Sequence, residues 1–135
     1  MSTISRDGRF LAARRRPAWL IWSACLLAFA ILEGVNHGAA AWAALACGVI
    51  APDLTFLAAA GAHGPVSRGQ LPPRAVPFYN AAHRTWIPLL LAGGYALGIV
   101  DAPAVFTFLL GWMLHIGVDR AAGYNLRGTD GFIRA

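Results

Sequence analysis

The chain contains no lysine, a single glutamate and only six acidic residues among 135. Charged residues make up 13% of it, about half of the ~25% that a soluble domain carries. That little charge cannot cover a water-facing surface, which excludes an ordinary soluble domain and points to lipid as solvent. The two cysteines, Cys25 and Cys47, lie inside apolar runs. They make neither a disulfide framework nor a zinc-finger pattern and read as small packing residues. No glycine-rich phosphate loop, GxSxG elbow or HExxH pair occurs, so the motifs of phosphate-loop enzymes, serine hydrolases and zincins are missing.

The hydrophobic content, 58%, is gathered into four runs. With boundaries extended through neutral flanking residues to approach the roughly 20 residues of a membrane-crossing helix, they predict helices at about 17–34, 39–62, 78–100 and 102–119. The expected fold is all-α: a polytopic membrane protein with four transmembrane helices in a compact bundle. A basic segment, 1–16, precedes the bundle domain, 17–127; an inner loop covers 63–77 and a short tail 128–135. The eleven arginines cluster in three places: Arg6 to Arg16, Arg68 to Arg84, and Arg120 to Arg134. Under the positive-inside rule both chain ends and the inner loop lie in the cytoplasm, and the expected location is a bacterial inner membrane. A cleaved secretory signal fits poorly, because Glu33 directly follows the first apolar core and a second apolar run begins at once. The net charge of +5 is explained by topology and by attraction to anionic lipid. With no nucleic-acid-reading motif, membrane lipids are the expected partners and nucleic acid is not; self-association stays open. GYALG, Gly94 to Gly98, and the series Ala40, Ala44, Gly48 have the spacing of tight helix contacts. Pro77 suits the start of a helix, Asp101 reads as a helix cap, and the five tryptophans read as interfacial anchors.

Polar residues inside the apolar runs carry the functional information. A carboxylate at the centre of a crossing helix costs about 2.5–3.5 kcal/mol on insertion scales, so Asp53 in IAPDLTF needs a partner. Asn80 and His83 in YNAAHR are three apart, and His115 and Asp119 in HIGVDR are four apart, so each pair shares a helix face. With the topology above, Asp53, Asn80, His83, His115 and Asp119 fall at similar depth in the cytoplasmic half, supported by Tyr79, Arg120 and Tyr124. Imidazole and carboxylate together suit a divalent metal, with Asp53, His83, His115 and Asp119 as candidate ligands. The same residues also suit a hydrogen-bonded network that only fixes helix packing. The primary reading is a small integral membrane protein with a buried His/Asp/Asn cluster. The alternative is a metal-dependent hydrolase acting on a lipid or lipid-linked phosphate at the inner leaflet. The sequence decides neither for nor against an enzyme.

IAPDL, YNAAH and HIGVDRAAGYNLR, each embedded in a hydrophobic run, resemble the domain of unknown function 4260 family of small bacterial membrane proteins. The resemblance implies family positions at Pro52, Asp53, Tyr79, Asn80, His83, His115, Asp119, Arg120, Gly123, Tyr124, Leu126 and Arg127. Asn125 and Arg127 stand where the family has glycine and lysine, and the inner loop is longer and richer in proline.

Overall fold

A computed structural model describes residues 4–134, with side chains from Arg14 onward. The expectations that fall on residues 1–3 and 135, and on the side chains of Arg6 and Arg9, lie outside the described residues. Among the described residues there are helices and no strand, apart from one isolated antiparallel bridge between Arg127 and Ile133.

Helix α1, Ile4–His37, runs through Pro17 without ending. It turns back at Gly38, whose φ of 73° is the left-handed conformation that glycine adopts at no steric cost. Helix α2, Ala39–Ile50, then tightens into a 3-10 segment over Ala51–Ala59. Pro52 causes the change, because it removes one helical N–H and crowds the preceding turn; Thr55 Oγ1 donates to the Pro52 carbonyl at 2.6 Å. After the loop, α3 covers Val76–Ala82 with Pro77 in its first turn. Helix α4 covers Trp86–Ala96 and α5 covers Pro103–Ala122.

The single helix expected over 78–100 is thus two helices, broken at His83–Thr85. Pro88 falls within the first turn of α4, where its missing N–H matters little. Gly98, at φ 74°, ends α4 in a Schellman turn: Ile99 N–H donates to the Gly94 carbonyl and Gly98 N–H to the Tyr95 carbonyl. The second glycine of GYALG therefore stops a helix and does not mediate helix contact. Asp101 makes no cap; the residue at that position is Ala102, without a side-chain bond.

Among the described residues three helices are long and apolar enough to cross a membrane: Arg14–His37, Ala39–Ala59 and Pro103–Ala122. At 11 residues, α4 is shorter than that requirement. Helix α5 is the centre of the bundle, burying Thr107, Leu109, Leu110, Met113 and Ile116 against α1, α2 and α4. The outward faces carry large apolar side chains: Ile21 is 67% exposed, Leu57 71% and Leu90 68%. Such a surface suits hydrocarbon and not water.

Two glycines set the crossing of α2 and α5. A Cβ on Gly111 would stand 2.6 Å from the Leu45 carbonyl oxygen, and one on Gly48 would collide with the Phe108 carbonyl. The backbones touch, as small residues allow between membrane helices. Arg16 lies against Gly123, and Ser23 against Gly117, so α1 runs antiparallel to α5. Residues further along α2 and α5 stay together, Asp53 beside His115, so these two run parallel. The start of α1, the end of the 3-10 segment and the end of α5 consequently share one end of the bundle. That end holds the described arginines Arg14 to Arg16 and Arg120.

Candidate metal centre

The break between α3 and α4 positions the first candidate ligand. His83 terminates α3, and its Nδ1 lies 2.8 Å from the Tyr79 carbonyl. A carbonyl only accepts, so Nδ1 carries the proton, and in the neutral ring Nε2 is left with a free lone pair. The ring is 1% exposed and stacks on Tyr79 with centroids 3.9 Å apart and planes 18° from parallel. Two side chains from α5 brace the broken backbone. Trp112 Nε1 donates to the Ala82 carbonyl at 2.6 Å, and Arg120 Nη2 donates to the His83 carbonyl at 2.9 Å.

Helix α5 supplies the next two groups from one face. His115 Nε2 lies 3.3 Å from His83 Nε2 and 3.5 Å from Asp119 Oδ2, while His83 Nε2 lies 3.4 Å from the same oxygen. The three atoms make a nearly equilateral triangle. Around a tetrahedral zinc ion with bonds of about 2.0–2.1 Å, ligand atoms lie about 3.3–3.4 Å apart. Asp53 joins from the 3-10 segment, with Oδ1 3.5 Å from His115 Nε2. Asp53, His83 and His115 each offer one ligand atom, all within 4.8 Å of one another. These groups differ in access: the side chains of His83, His115 and Asp119 are 1%, 11% and 23% exposed, whereas Asp53 is 56% exposed.

The donor set fits a divalent cation. Asp53, His83 and His115 offer ligand atoms within 4.8 Å of one another, Asp119 lies within 3.5 Å of both rings, and all four are acceptors once the rings are neutral. Two carboxylates balance a 2+ ion, which limits the cost of charge in a low-dielectric surround.

Asn80 has a different task. Its Nδ2 donates to the Arg127 carbonyl at 2.9 Å, and its Oδ1 accepts from the Arg127 N–H at 2.7 Å. It clamps the segment after α5 and uses up its side chain there. Arg120 spends its guanidinium on the carbonyls of His83 and Tyr124. The Tyr124 side chain is half-exposed, and the residue contributes through its backbone, with N–H to the Asp119 carbonyl in the turn at Gly123. Burial, reinforced by the Asp119 carboxylate, pushes the Tyr79 phenol above its ordinary value; α3 lies outside the three membrane-length helices. At the far end of the bundle Glu33 and His37 pair at 3.3 Å on α1.

Composition and spacing passed over two of these contributors. Trp112 read as an interfacial anchor, yet it precedes His115 by one helical turn and braces the ligand break. Arg127 came only through the family resemblance. Its Nη1 donates to the carbonyls of Gly69 and Gly131, at 2.6 and 3.3 Å. The chain after α5 folds back on itself, Gly128 N–H to the Phe132 carbonyl and Arg134 N–H to the Leu126 carbonyl, and docks on Leu71 through the Gly131 carbonyl.

An all-helical chain with three membrane-length helices and a His/Asp group able to hold a metal ion is the class that fold and site define. Within that class the chain belongs to the family described as domain of unknown function (DUF4260), whose pattern matches residues 18–135. No curated protein and no solved structure matches it.

Proposed function

We propose that the protein is a multi-pass membrane protein that binds a divalent transition metal through His83, His115 and Asp119, with Asp53 as the outer carboxylate. The observation that carries this reading is the triangle of 3.3, 3.4 and 3.5 Å between two imidazole nitrogens and a carboxylate oxygen. Imidazole with carboxylate favours zinc, iron or nickel over calcium or magnesium. The topology that supports it has the arginine-bearing end in the cytoplasm of a bacterial inner membrane. Residues 60–102 return the chain from that end to the start of α5, with α4 as a short fourth passage; Tyr95 stacks on Phe106 at its far end, centroids 4.6 Å apart.

Metal content of the purified chain tests the reading, alongside His115→Ala and His83→Ala. Stoichiometric metal in the wild type, lost from both variants while they stay folded, supports it. A wild type that takes up no metal, with both variants unstable, makes the cluster a packing network.

A hydrolase is favoured by the exposure of Asp53. A divalent ion lowers the pKa of a bound water from 15.7 toward ~7. His83, His115 and Asp119 would hold the ion, and Asp53, on the open flank, would take a proton from water as the water oxygen bonds to phosphorus and the P–O bond to the lipid alcohol breaks, the alcohol leaving with a proton. Arg120 is committed to carbonyls, and the exposed Arg84, next to His83 in the chain, is the candidate to meet a phosphate. Phosphate release from such lipids, lost in Asp53→Asn at metal concentrations that still fill the weakened site, tests this second reading.

A further inference from the structure

Arg127 is 8% exposed, yet among the described residues no carboxylate pairs with it and its Nε has no partner. Burying a guanidinium in this way is costly, so its position calls for an explanation. The guanidinium carbon lies 5.4 Å from the centroid of Tyr79, over the ring face. The Tyr79 ring stacks in turn on the His83 imidazole at 3.9 Å, and the Tyr79 carbonyl accepts from His83 Nδ1. The Arg127 backbone is held by both ends of the Asn80 amide, and its Nη1 by the carbonyls of Gly69 and Gly131. A cation held by three separate segments therefore lies over the tyrosine ring that stacks on a histidine of the candidate metal centre, 44 residues earlier in the chain.

We infer that Arg127 is a positioning residue for the His83 ligand, acting through the Tyr79 ring, so that the segment after α5 sets the metal affinity of the centre. The inference rests on the metal-binding reading above. Cation–π attraction and stacking fix the Tyr79 ring. The fixed ring and its carbonyl leave His83 one orientation and one tautomer, with Nε2 toward His115 and Asp119. Partners of this kind orient metal ligands, and their loss weakens metal binding by about 10–100-fold. A purely structural arginine would tie the C-terminal segment to the inner loop and leave the coordination chemistry unchanged.

Cobalt(II) alone, titrated into the purified full chain in detergent, reads both affinity and ligand geometry from its visible absorption. Tyr79→Phe keeps the ring and the wild-type affinity and spectrum. Tyr79→Leu and Arg127→Ala each weaken binding about tenfold and alter the spectrum. The double variant is no weaker than the weaker single variant, because both act through one stack. Arg127→Lys keeps the charge but not the two-carbonyl bridge and falls between. Wild-type affinity and spectrum in Tyr79→Leu and in Arg127→Ala overturn the inference while leaving the metal site standing. If Arg127→Ala does not fold, Arg127→Lys decides, and wild-type behaviour there overturns it equally. A wild-type chain that binds no cobalt overturns the metal reading and this inference with it.

Discussion

His83 Nε2 and His115 Nε2 face each other at 3.3 Å across the junction of the α3–α4 break and α5. With His83 Nδ1 committed to the Tyr79 carbonyl, two neutral rings both presenting lone pairs would repel. A shared cation would remove that conflict, and a cation that binds the folded state alone would stabilise it. Zinc at a hundred times its dissociation constant should add about 2.7 kcal/mol, read as a rise in melting temperature in detergent. A chelator should reverse the rise, and Asp119→Asn should diminish it.

Trp112 and Arg120 carry a separate expectation. Trp112→Phe leaves the Ala82 carbonyl without its donor, at a cost of about 1–3 kcal/mol if it stays buried. Arg120→Ala frees the His83 carbonyl in the same way. Both variants should melt earlier than the wild type, and both should bind metal less tightly if the break they brace carries a ligand, as proposed.

The glycine crossing should govern the site at a distance. Gly111→Leu forces α2 and α5 apart, since even a Cβ there meets the Leu45 carbonyl at 2.6 Å. Overpacking of this kind costs about 1–3 kcal/mol. It also moves Asp53 away from His115, so metal affinity should fall with stability. Leu97→Ala, on an 82% exposed side chain, should change neither.

Topology is tested by labelling. In a background with Cys25 and Cys47 replaced by alanine, single cysteines at Arg16 and at Tyr124 should react with a membrane-impermeant thiol reagent from the same side. A cysteine at Asn36 should react only from the other. Arg16 and Tyr124 on opposite sides would contradict the arrangement of α1 against α5.

Apolar run length was enough to read α1, α2 with its 3-10 continuation, and α5, because a membrane-length span leaves its mark in composition alone. The break at His83 was not legible: AAHRTW, which spans it, holds neither proline nor glycine, and Gly98 looks the same in sequence whether it packs a helix or stops one. Asp53, His83, His115 and Asp119 stood out as candidates because carboxylates and imidazoles in or beside apolar runs demand a reason. Asn80 shared their pattern but bonds the Arg127 backbone, a contact between residues 47 apart that no local spacing can announce.

X-ray absorption at the metal edge, on the zinc-loaded chain, tests the central claim most directly. The account predicts about four nitrogen and oxygen ligands near ~2.0 Å with the outer-shell scattering of two imidazoles, and loss of one imidazole in His83→Ala or His115→Ala. Zinc surrounded only by oxygen, without imidazole scattering, or with an unchanged signal in both variants, would contradict it.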